Sequence, residues 1–64
     1  MNKKTIEELK ALSNSELNKE LIDLMYYFGS DVNESNFIQW TIYIKLVKKE
    51  FDARGLIFEP NTTL

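Results

Sequence analysis

The segment FIQWTIYIKLVKKEF, Phe37 to Phe51, places nine large apolar residues in fifteen positions. One helix face cannot bury them all. The segment is therefore either a strand or a helix with apolar contacts on two sides. Read as a strand, Ile38, Trp40, Ile42, Ile44 and Leu46 alternate with Gln39, Thr41, Tyr43 and Lys45. That is period-two patterning rich in β-branched and aromatic residues. Read as a helix, Phe37, Trp40, Ile44, Val47 and Phe51 form a heptad seam.

Three features favour the helix. The helical series continues to Phe51, where the alternation has failed. Gly55 stands where a left-handed residue would end a helix, with Leu56 placed to touch Phe51. Glu50 and Arg54 form an i, i+4 pair in the favourable orientation. A helix from about Ser35 to Arg54 is expected. The alternative, a β-hairpin using 37–47, would have only Leu56-Ile57-Phe58 as its partner.

Upstream, two helix starts are signalled. Thr5 with Glu8, and Ser13 with Glu16, fit capping boxes, and Leu12 and Leu17 flank the second at hydrophobic-staple positions. A short helix bearing Ile6, Leu9 and Leu12 should bend at Ser13 into a longer one bearing Leu17, Leu21, Leu24, Met25 and Phe28. Gly29 is expected to end that helix. Asp31 or Asn33 should cap the next; with Asn33 as the cap, Val32 and Phe37 would form a second staple. The expected fold is all-α: a short N-terminal helix followed by an antiparallel two-helix hairpin. It forms one domain across 1–64, ordered over about 5–59, with 60–64 frayed behind Pro60.

In such a helix Phe37, Trp40, Tyr43, Ile44, Val47 and Phe51 share one arc, and Ile38, Ile42 and Leu46 form a row on the other side. Ile22 and Tyr26 echo this row behind the main face of the second helix. Either the first helix and Leu56-Ile57-Phe58 fold over the row, or the row is an interface. The candidate partner-binding residues are therefore Ile22, Tyr26, Ile38, Ile42 and Leu46.

A chain of 64 residues buries only about 60% of its unfolded surface, so its stability is marginal without help. With no cysteine and no histidine, disulfides, thiolate metal sites and the commonest metal ligand are all excluded. Association, with itself as a homodimer or with another protein, is the remaining route to extra stability. No apolar run approaches the length of a membrane span. MNKKTIEELK lacks the apolar core of a signal peptide. A soluble, cytoplasmic protein is expected.

Catalysis fits poorly. The acid pairs Glu7/Glu8 and Glu16/Glu20 are expected on exposed helix faces, where carboxylates solvate and cap. No phosphate loop or calcium-loop spacing occurs, so no cofactor, metal or small-molecule substrate is expected. Lys45, Lys48 and Lys49 with Thr41 share one flank of the third helix, near Trp40 and Tyr43, which would suit a dimeric DNA-binding regulator. Asp52 interrupts that flank, and the formal charge of −2 is unlike a typical nucleic-acid binder. Lys3 and Lys4 add only a loose terminal charge.

LSNSELNKELIDL followed by a helix ending in ARGL resembles small bacterial and phage helical-hairpin regulators, such as the sporulation histidine-kinase inhibitors. The shared part is a capping box with leucines and a glycine-terminated helix, so no functional residue carries over. The expected role is a small non-enzymatic protein-binding module, a regulator or inhibitor. A DNA-binding regulator or a structural subunit of a larger assembly are the alternatives.

Overall fold

In the computed structural model, which describes residues 2–58, the chain forms α1 (Ile6–Ala11), α2 (Asn14–Ser30) and α3 (Phe37–Arg54), with no strand among the described residues. The expected all-α architecture is present, and the hairpin alternative for 37–47 is replaced by helix. The tail 60–64 lies outside the described residues.

Both capping boxes close. Thr5 Oγ1 accepts from the Glu8 N–H at 3.1 Å and the Thr5 N–H donates to Glu8 Oε1 at 2.9 Å. Ser13 and Glu16 repeat this at 3.2 and 2.8 Å. These bonds, the backbone donation foremost, hold both carboxyls below their ordinary range. Between the helices Leu12 is extended, which sets the bend.

The end of α2 departs from expectation. The helix continues through Gly29 to Ser30, and Gly29 is not left-handed. The Asp31 N–H donates to the Tyr27 carbonyl at 2.8 Å and Ser30 Oγ donates to that of Tyr26 at 3.1 Å. Carbonyls of the last turn are thus satisfied without a left-handed residue. In the connection, Asn33 Oδ1 accepts from the Ser35 N–H at 3.0 Å, and Asn36 Oδ1 accepts from the Asn33 N–H at 2.7 Å. Asn33 therefore caps a turn ahead of α3, which starts at Phe37 behind Asn36 and has no side-chain cap bond. Phe37 is half-exposed, and its ring meets Phe28 edge-on at 6.3 Å.

The other end of α3 is as expected. Gly55 is left-handed at φ 67°. Its N–H donates to the Asp52 carbonyl at 3.1 Å and the Leu56 N–H to that of Phe51 at 3.0 Å, which completes a Schellman motif.

α3 packs on both α1 and α2. Its buried Trp40, Tyr43, Val47 and Phe51 join Leu9 of α1 and Leu17, Leu21 and Leu24 of α2 in one core. Met25, expected in that face, is 52% exposed. Trp40 is enclosed by Tyr27 (ring centroids 4.4 Å apart), Tyr43 (5.9 Å) and the Lys3 ammonium (4.6 Å from the ring centre).

Candidate interaction surface

The apolar row of α3 divides. Ile38 is 72% and Ile42 56% exposed, whereas Leu46 is partly buried against the core. The cause is helical drift. Each i, i+4 step turns about 40° about the axis, so Leu46 lies about 80° from Ile38 and rotates toward the inner face. The first helix and the post-α3 segment do not cover the two isoleucines. Leu9 enters the main core, Phe58 lies against Phe51 with ring centroids 6.2 Å apart, and Ile6 and Ile57 are themselves exposed.

The echo on α2 also divides. Tyr26 is exposed, but Ile22 is buried and presents little surface to a partner. One turn before Ile22, Asn18 joins Asn14 and Ser15 in lining an open groove of about 510 Å3, with Phe51, Leu56 and Ile57 opposite. The sequence does not signal this groove, and among the described residues no ionisable side chain lines it. Tyr26 lies roughly opposite Leu17 and Leu24 around α2, as Ile38 and Ile42 lie roughly opposite Val47 and Trp40 around α3. The backs of two packed helices point apart. The five candidate residues therefore do not form one patch; Ile38 and Ile42 do.

Two polar clusters explain how the inner face closes without them. Glu20, expected on an exposed face, is buried. Its Oε1 accepts from Lys4 Nζ at 2.9 Å and its Oε2 from the Tyr43 hydroxyl at 2.7 Å, while the Lys4 N–H donates to the same hydroxyl at 3.0 Å. A buried carboxylate is tolerable when it is paired and hydrogen-bonded in this way. Lys3 and Lys4 are consequently not loose charges: one covers Trp40, the other neutralises Glu20. Burial, then the bond to Glu20, pushes the Tyr43 hydroxyl pKa far above its ordinary value.

The second cluster is Arg54. Its Nε donates to Glu50 Oε2 at 2.9 Å, as the spacing predicts. Nη1 donates to the Leu12 carbonyl at 2.8 Å and to Asn14 Oδ1 at 3.1 Å. Nη2 donates to the Leu9 and Lys10 carbonyls at 3.1 and 3.0 Å. The guanidinium thus caps the C-terminal end of α1 from α3, where a cation also complements the helix dipole.

On the lysine flank, Lys45, Lys48 and Lys49 are exposed, but Trp40 and Tyr43 are core. Thr41 Oγ1 is buried and has no hydrogen-bond partner among the described residues. Neither the aromatics nor the hydroxyl is therefore presented beside the lysines. Among the described residues no helix is long and apolar enough to cross a membrane. No protein-family model, curated protein or solved structure matches the chain.

Proposed function

We propose that the protein is a non-enzymatic binding module that docks a protein partner on the outer face of α3, as a small cytoplasmic regulator or inhibitor of the bacterial or phage kind. The supporting observation is the pair Ile38 and Ile42, 72% and 56% exposed one turn apart, on a helix whose opposite face is fully used by the core. Covering an exposed isoleucine contributes about 1.5–3 kcal/mol, so the pair can serve as the apolar centre of a modest interface. Lys45 and Lys49 extend the same face and supply a charged rim.

The test is affinity capture from the native host with the wild-type chain and with Ile42→Glu, followed by mass measurement of what is retained. A buried carboxylate without a partner is expensive, so Ile42→Glu should lose the bound protein and keep an unchanged circular dichroism spectrum. Equal retention by both chains would remove this face from the function. Salt-sensitive retention of DNA by both would instead point to the lysine flank.

A further inference from the structure

We infer that the occupant of the outer face of α3 is a second copy of this chain, with the two α3 helices antiparallel about a twofold axis midway between Ile38 and Ile42. This rests on the proposal that the face binds protein, and adds which protein and in which orientation.

The observation is the order of charges along the face. Ahead of α3, Glu34 is exposed in the turn from Asn33 to Asn36 that leads into the helix, four residues before Ile38. After Ile42 come Lys45 and Lys49, also exposed. None of these three charges has an ion-pair partner among the described residues; the two ion pairs found there are Lys4–Glu20 and Glu50–Arg54. Over 34–49 the face therefore reads acid, apolar, base.

A surface with that order is complementary to itself when reversed. With Ile38 of one copy against Ile42 of the other, residues equidistant from the axis face each other. Glu34 then falls beside Lys45 of the second copy. The axis repeats each contact, as an isologous interface requires. A parallel pairing would set acid against acid and lysine against lysine. Asp52, further along the flank, lies past the paired stretch. Self-complementary charge specifies register and partner more than it adds affinity. One helix pair covers less than the roughly 800 Å2 per partner of a standard interface, so the dimer should be weak and concentration-dependent.

Sedimentation equilibrium of the full chain between about 10 μM and 1 mM, at low salt, should show a monomer–dimer equilibrium that added salt weakens. Lys45→Glu and Glu34→Lys should each weaken it roughly tenfold, because the twofold axis replaces two attractive contacts by two repulsive ones. An equimolar mixture of the two variants should recover wild-type association, since every facing pair is again of opposite sign. A wild-type chain monomeric at 1 mM overturns the inference, and so does a mixture no tighter than either variant alone. The underlying binding proposal fails separately. A monomeric wild type whose captured host protein is lost in Ile42→Glu defeats self-pairing alone, whereas association or capture indifferent to Ile42→Glu defeats both.

Discussion

The two ends of α3 are held by different physics. At the C-terminal end the Arg54 guanidinium reaches the carbonyls of Leu9, Lys10 and Leu12, and Gly55 and Leu56 close the last turn on Asp52 and Phe51. Those bonds are directional and tie α3 to α1. At the N-terminal end Asn36 gives no side-chain cap, Phe37 leans on Phe28, and Ile38 remains in solvent. In a chain with a small core, polar ties at one end and a buried tryptophan one turn into the other can close the inner face. The outer face is then left over, and a surface that folding does not need can be used for binding.

The contrast is most exposed to failure at Trp40, the main anchor of the N-terminal half. Trp40→Ala removes the ring that Tyr27, Tyr43 and Lys3 enclose and should cost about 3–5 kcal/mol in urea unfolding. A cost below about 1 kcal/mol would mean that the N-terminal half is held by something other than this core.

Arg54 is the corresponding test of the other end. Arg54→Ala deprives partly buried carbonyls and Glu50 of their donor, and should cost about 2 kcal/mol, since water can replace some of the lost bonds. Arg54→Lys should restore only part, because an ammonium lacks the planar fork that spans α1 and Asn14. Equal stability of the wild type, Arg54→Ala and Arg54→Lys would reduce the ties at this end to surface decoration.

Between the two ends, the Lys4–Glu20–Tyr43 cluster makes a prediction in pH. The Tyr43 hydroxyl holds its proton more tightly when folded, chiefly because it is buried. Its stabilising contribution is therefore complete below the unfolded value near 10, and is lost as pH rises from there toward the higher folded value. Unfolding free energy should fall above about pH 10. Tyr43→Phe should flatten that fall at a cost of about 1–2 kcal/mol at neutral pH, where Glu20 loses a donor. An identical alkaline profile in Tyr43→Phe would assign the titration to another group.

How far these features can be read from sequence follows their range along the chain. The boxes at Thr5 and Ser13, the Gly55 ending and the Glu50–Arg54 pair are legible because each is complete within five residues. Arg54 capping α1 is not, since its partners lie 42 to 45 residues away. The burial of Glu20 is partly legible: it sits three residues after Leu17 and four before Leu24, on the rim of the buried arc. Gly29 misleads because glycine permits a left-handed residue without requiring one. The grouping of Ile38, Ile42 and Leu46 is half legible: spacing shows that they are neighbours, but the drift that carries Leu46 inward matters only once the core packs against it.

That division gives the smallest expected effect and the finest test of the contrast. Ile38 is 72% exposed, so in dilute monomer Ile38→Ser removes almost no buried surface and should change stability by less than about 0.5 kcal/mol. Leu46→Ser, two turns along the same nominal row, loses partial burial against the core and should cost about 1–2 kcal/mol. Both substitutions put the same polar side chain in place of a four-carbon apolar one on the same helix. Differences in intrinsic helix propensity are a few tenths of a kcal/mol and do not decide the comparison. Urea unfolding of the two variants at a concentration well below that of association reads the gap directly. Equal costs near 1–2 kcal/mol would mean that Ile38 is covered in the monomer and that the outer face of α3 is core. Equal costs near zero would mean that Leu46 is outside the core, and the open surface would then extend over the whole row.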